Sequence, residues 1–203
     1  MTSQEILSSV KHAVRQKFSG EGTGHDYFHV ERVVKVAVQI AQHENADFFL
    51  VELAAWLHDV GDYKLNNGID RSREQIATIL NELNVREETI LKVIEIVSQV
   101  SFSKGKIAES LEAKIVQDAD RLDALGAIGV AHTFAYGGSK KREIYNPQHS
   151  EGTSVQHFYD KLLKLKDMMN TASAKAIAAE RHIFLEKFLQ QFYKECDGEQ
   201  SFT

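Results

Sequence analysis

The chain has 203 residues, 43% hydrophobic and 26% charged, which suits one domain with a substantial core. Its formal net charge of −5 excludes a general nucleic-acid-binding surface, since phosphate contacts need a basic face, but leaves room for a small anionic substrate. A single cysteine, Cys196, excludes an intrachain disulfide framework; with no basic and apolar signal blocks after Met1 and no apolar run near the roughly 20 residues that span a bilayer, a cytoplasmic location without membrane contact is expected.

Pro147 is the one proline, and the segments between breakers repeat at helical spacing. An all-α fold is therefore expected, with one domain over residues 1–195 and a disordered tail over 196–203. Thr2 with Glu5 has the form of a capping box for a first helix from about Ser3 to Phe18. Its apolar stripe is Ile6, Val10, Ala13, Val14 and Phe18, and the run Ser19 to Gly24 ends it. His25-Asp26-Tyr27-Phe28-His29 opens a second helix, buried through Val30, Val33, Val34, Ala37, Ile40 and Ala41. His29 lies four residues before Val33, on the core side; taken alone it reads as a hydrogen-bonded core histidine. His25, four before His29, flanks the same face.

Asn45 is the expected cap of a third helix, Ala46 to about Asp59. This helix is apolar almost all round, so it belongs in the middle of a domain, and Gly61 offers its stop. His58 and Asp59 then end a buried helix beside a loop, Asp62 to Ile69, that a substrate can reach. Adjacent buried His and Asp are costly unless something neutralises and orients them, and a divalent ion does both.

Asp70 is the expected cap of a fourth helix through Leu83, with Arg71, Arg73 and Glu74 in its first turn. Asn84 and Glu87 resemble a second capping box, before a fifth helix carrying Ile90, Val93, Ile94, Val97 and Val100. A polar connection from Ser101 leads to Leu111, and the next helix runs into Asp118-Ala119-Asp120-Arg121-Leu122-Asp123. Val116, Asp120 and Ala124 share a face if that helix is continuous; Asp118 and Asp123 share it less cleanly. Ala135 to Gly152, with Lys140-Lys141-Arg142 and Pro147, is the least core-like stretch. It reads either as a solvated mobile loop or as a lid that brings positive charge to phosphates. Thr153 and Gln156 open a further helix to about Met169; the last runs from Thr171 to Glu195, with Ile177, Phe184, Leu185, Phe188, Leu189 and Phe192 on its face.

His29, His58, Asp59 and Asp120 together place two imidazoles and two carboxylates on three buried faces. Mixed nitrogen and oxygen ligation suits a borderline divalent ion such as manganese, iron, cobalt, nickel or zinc, and magnesium less well. Such an ion acidifies water and withdraws charge from a phosphoryl oxygen.

The order His29, then His58-Asp59, then Asp120 resembles the H…HD…D signature of the HD superfamily of metal-dependent phosphohydrolases. The likeness runs from about Thr23 to Phe134, and the wordings HDYFHVERV, AAWLHDVGDYK and DADRLDALGAIG resemble one compact bacterial subgroup. The resemblance implies an all-α HD-domain fold with the metal site between central helices. It maps the metal ligands onto His29, His58, Asp59 and Asp120, with Asp118 and Asp123 as rival fourth ligands. It leaves His25-Asp26 as an accessory pair, His25 near the substrate phosphate. Two-metal members usually add histidines between the HD pair and the last aspartate. No histidine occurs from Val60 to Ala131, so one ion is expected, manganese foremost.

With one metal, side chains must supply further positive charge. Lys64 and Arg121 border the ligands, with Arg71, Lys140 and Lys141 as further phosphate-binding candidates. Asp62 or Glu74 can orient the attacking water or protonate the leaving group. The resemblance to the compact subgroup makes a pyrophosphohydrolase the leading expectation, converting nucleoside or deoxynucleoside triphosphates to monophosphate and pyrophosphate. The alternatives are a nucleoside monophosphate phosphatase and a non-catalytic nucleotide-binding module. A homodimer is compatible with a small helical enzyme, although no unburied stripe marks its surface.

Overall fold

A computed structural model describes residues 1–18, 26–63, 66, 68–100 and 108–198. The regular structure among them is helical throughout, as expected, and none of these helices is long and apolar enough to cross a membrane. In chain order the helices are α1 (Ser3–Lys17), α2 (Tyr27–Glu44), α3 (Phe48–Leu57), α4 (Ser72–Glu82), α5 (Glu87–Ser98), α6 (Leu111–Asp123), α7 (Gly126–Ser139), α8 (Gln156–Asp160) and α9 (Ala172–Cys196); a 3₁₀ segment, Leu162–Met168, precedes α9. The chain divides into two compact units, Met1–Asp120 and Arg121–Thr203.

In the first unit α3 is the hub, packed against α1, α2 and α5. It has only 10 residues, fewer than the roughly 12–15 an isolated helix needs, so burial holds it in place. Val51, Leu53, Ala54, Ala55, Trp56 and Leu57 are all buried. Each fully buried Leu contributes about 1.5–3 kcal/mol. Tyr27, at the start of α2, stacks on Trp56 with ring centroids 6.1 Å apart, and the Lys11 ammonium lies 5.5 Å from the Trp56 ring. This packing fixes where α3 stops, and so where His58 is presented.

Two helix starts differ from expectation for one physical reason. Asn45 does not cap α3; it ends α2 in the left-handed conformation, φ 55°, and its N–H donates to the Ala41 carbonyl. Asp47 caps α3 instead, its carboxylate accepting from the Leu50 N–H at 3.1 Å. Asn84 likewise sits at φ 53° after α4, and α5 starts behind Arg86 with no side-chain cap. Asparagine is good at both jobs, N-cap and left-handed terminator, and here the end of the preceding helix takes it. The expected Thr2–Glu5 capping box is present, and Thr171 caps α9.

The second unit is built on α9, which packs against α7 and the 3₁₀ segment. Its buried line is Ala174, Ala178, His182, Leu185 and Leu189. Phe184, expected on that line, is 45% exposed, because the small residues Ala174 and Ala178 set the face. The rings of Phe134, Phe158 and Phe188 cluster at centroid distances of 5.7–5.9 Å. The stretch from Ala135 to Gly152 is more ordered than expected. It begins inside α7, and Ser154 and Val155 then donate backbone hydrogen bonds to the carbonyls of Glu143 and Ile144 at 2.9 and 3.0 Å.

Candidate metal centre

Four side chains of the first unit, from α2, the turn that ends α3, and α6, converge. Asp26 caps α2 by accepting from the His29 N–H at 2.8 Å, which sets His29 in the first turn with its ring buried. His58 is the C-cap residue of α3. Its Nδ1 lies 2.8 Å from the Ala55 carbonyl oxygen. A carbonyl only accepts, so Nδ1 carries a proton and Nε2 is the ring nitrogen turned inward. Asp59 follows in the turn after α3, and Asp120 projects from α6.

The inward atoms are close. His58 Nε2 lies 3.3 Å from His29 Nε2. His29 Nε2 is 3.5 Å from both Asp59 Oδ2 and Asp120 Oδ1. His58 Nε2 is 3.6 Å from Asp59 Oδ2 and 3.9 Å from Asp120 Oδ1. Two atoms bound about 2.1 Å from one ion sit about 3.0 Å apart at a right angle and about 4.2 Å apart when opposite. The separations among His29, His58 and Asp120 fall in that interval, and the ligand atoms of these three all lie within 4.8 Å of one another; Asp59 Oδ2 joins them through its distances to the two histidines. The side chains of His58, His29 and Asp59 are 1%, 6% and 11% exposed, whereas Asp120 is 27% exposed, so the cluster opens to solvent on the Asp120 side. Metal ligation needs both imidazoles neutral, and the two carboxylates then carry two negative charges in a partly dry pocket, which a divalent cation cancels. The donor set, nitrogen and oxygen without sulfur, fits a borderline divalent ion.

The chain matches the HD domain family over residues 26–125, a span that contains all four of these residues. YpgQ of Bacillus subtilis is 42% identical over 189 residues, covering 91% of both chains. The crystal structure of YpgQ superposes with a TM-score of 0.84 over 98% of this chain and 100% of that one, at 36% identity. The chain belongs to the HD superfamily. A Bacillus thuringiensis HD-superfamily hydrolase is similar at 43% identity and a TM-score of 0.84, covering 97% of this chain and 99% of its own. YpgQ in complex with ADP matches at 37% identity and a TM-score of 0.84, over 96% and 97% of the two chains. The site and these relatives support a metal-dependent hydrolase.

Around the HD pair, Gly61 adopts φ 77° and packs on the backbone of Arg71 and Ser72. The Arg71 N–H donates to the Gly61 carbonyl at 2.8 Å, so the start of α4 is clamped to the turn that carries Asp59. Asp62 is buried, with its N–H donating to the Asp59 carbonyl at 3.2 Å. Arg71 and Glu74 are exposed at the start of α4. His25 and Lys64 lie outside the described residues. On α6, Asp118 is wholly buried and Asp123 is 5% exposed, and neither joins the clustered atoms. Asp123 instead acts on Arg181, whose guanidinium is lowered in pKa by burial, a shift that the Asp123 charge opposes. Arg121 directs Nη1 to the Met168 carbonyl. Lys140 and Lys141 are exposed beyond α7, the Lys140 ammonium 5.6 Å from the Tyr136 ring.

Several supporting residues carry no motif signal. Gln117 Nε2 donates to the Gln99 carbonyl at 2.7 Å, and Gln99 Oε1 accepts from the Glu109 N–H at 2.9 Å. These bonds tie the helix bearing Asp120 to the end of α5. A buried glutamine three residues before Asp120 is the kind of polar residue within an apolar stretch that can reveal such a tie.

Proposed function

We propose that this protein is a manganese-dependent nucleotide pyrophosphohydrolase, converting nucleoside or deoxynucleoside triphosphates to monophosphate and pyrophosphate. The observation that carries the reading is the convergence of His58 Nε2 and His29 Nε2 on the Asp59 and Asp120 carboxylates in a chain of the HD superfamily. The ADP complex of YpgQ supports a nucleotide ligand, because that relative accommodates a nucleoside 5′-diphosphate.

His29, His58, Asp59 and Asp120 would hold one ion. When bound, it supplies charge neutralisation at a phosphoryl oxygen and a more acidic water. Asp62, buried three residues after Asp59, serves as the general base that takes a proton from the attacking water; Glu74 is the alternative. The water oxygen bonds to the α-phosphorus as the bond to the α–β bridging oxygen breaks, and pyrophosphate leaves. Lys64 and Arg71 offset the charge on the β and γ phosphates, and His25 binds the α phosphate. The protein is read as cytoplasmic and compatible with a homodimer.

A panel of ribo- and deoxyribonucleoside mono-, di- and triphosphates, incubated with the manganese-loaded protein, tests this. Equal amounts of monophosphate and pyrophosphate from triphosphates are expected. Orthophosphate released only from monophosphates would replace the reading with a phosphatase. Nucleotide binding with no metal-dependent turnover would replace it with a binding module.

A further inference from the structure

Asp62 is held at both ends of its own peptide. Its N–H donates to the carbonyl of Asp59, and its carbonyl accepts from Asn66 Nδ2 at 2.8 Å. Asn66 is held in turn, because its Oδ1 accepts from Gln75 Nε2 at 3.4 Å. Gln75 stands in the first turn of α4, the helix start already clamped to Gly61. The direction of this relay is forced. A carbonyl can only accept, so Asn66 must turn its NH₂ to Asp62 and its oxygen to Gln75. Gln75 must then offer its own NH₂, and its oxygen is left over. Gln75 Oε1 is indeed buried with no hydrogen-bond partner among the described residues. A buried acceptor without a partner destabilises the fold, and such atoms call for an explanation in function.

We infer that Asn66 and Gln75 form an amide relay that positions Asp62 beside the metal cluster, with Gln75 kept there at the expense of stability. The inference rests on the reading of Asp62 as the general base. Gln75 is a positioning residue and touches no reacting atom. The relay fixes the Asp62 backbone relative to Asp59, and misplacement of a catalytic group by about 1 Å costs up to roughly a hundredfold in rate.

The test is Gln75→Met, which is close in shape and removes both the donor to Asn66 and the leftover acceptor. Four readouts are needed on the full-length protein: the melting temperature of the metal-free form, manganese affinity by calorimetry, kcat and KM on a triphosphate, and hydrogen exchange of the Gly68 and Ile69 amides. Those amides donate to Tyr63 and Asn66 carbonyls at 2.8 and 3.0 Å and report on the turn. The expected result is an unchanged or higher melting temperature, unchanged manganese affinity and KM, faster exchange, and kcat lowered roughly tenfold to a hundredfold. Asn66→Asp should lower kcat similarly, and the double variant should be no slower than the slower single variant, as for two members of one relay. A purely structural glutamine would lower the melting temperature in step with activity, and that outcome overturns the relay. So does wild-type kcat in Gln75→Met, or losses that multiply in the double variant. If Asp62→Asn retains turnover, the failure belongs to the general-base reading, and the exchange data still decide whether Gln75 holds the Asp62–Asn66 turn.

Discussion

Gly61→Ala is the sharpest test of how the metal-binding turn is built. Gly61 sits at φ 77°, and a Cβ added there would lie 2.6 Å from the Arg71 carbonyl carbon, 2.7 Å from the Arg71 oxygen and 2.7 Å from the Ser72 nitrogen. All three are backbone atoms, so no side chain can swing aside. Left-handed strain, forced separation of the two backbones and loss of the Arg71-to-Gly61 hydrogen bond together should cost about 3–5 kcal/mol. For a chain of this size that lowers Tm by about 6–20 °C. Because Asp59 lies two residues before Gly61, manganese affinity should fall as well. Gly68→Ala is the matched control: φ is 85°, but no atom of the described residues lies within 4 Å of the added Cβ. It should carry only the backbone strain, about 1–2 kcal/mol, and leave metal affinity intact. Calorimetric melts with and without manganese, and titration of the metal into each variant, separate the two contributions. Equal Tm losses in the two variants, or an unchanged manganese affinity in Gly61→Ala, would refute the argument that close backbone contact at Gly61 aligns the ligands.

Further outcomes follow from the same geometry. Manganese at about 100-fold above its dissociation constant should add about 2.7 kcal/mol of stability, raising Tm by roughly 5–10 °C, and His58→Ala should abolish that shift in differential scanning fluorimetry. Asp62→Asn should cut kcat at least ~100-fold while the manganese-induced shift persists, which separates proton transfer from metal binding. In the second unit the His157 pKa is lowered by burial first, then by the Lys161 and Arg142 charges, against a smaller opposing effect of Asp160. The folded state therefore binds fewer protons there than the unfolded chain, so stability is full above about pH 6.5 and falls as the pH drops below it. His157→Gln should flatten that fall in urea melts taken at several pH values.

Much of the architecture was legible because it follows from burial. The almost wholly apolar α3 could only be a central helix, and it is. His29, His58 and Asp120 stood out as polar groups on apolar faces, and their side chains do meet. What could not be read were choices between equally competent residues. Asn45 and Asn84 can cap a following helix or end a preceding one, and the outcome depends on where the next turn is packed. Asp118 and Asp120, by contrast, lie about 200° apart around a helix, and the face shared by Val116, Asp120 and Ala124 did separate them: Asp118 is sealed in the interior while Asp120 faces the histidines. Phe184 was expected on the buried face of the last helix with Leu185, but close helix packing favoured the smaller face of Ala174 and Ala178. Asn66 and Gln75 belong to no motif, because their importance lies in which end of each amide points where.

Hydrolysis in ¹⁸O-labelled water tests the central claim most directly. With the manganese-loaded protein and a deoxynucleoside triphosphate, the account predicts that the label enters the monophosphate and that pyrophosphate is unlabelled, since attack occurs at the α-phosphorus. Label in pyrophosphate or in orthophosphate, or turnover that survives loss of both His58 and Asp120, would contradict it.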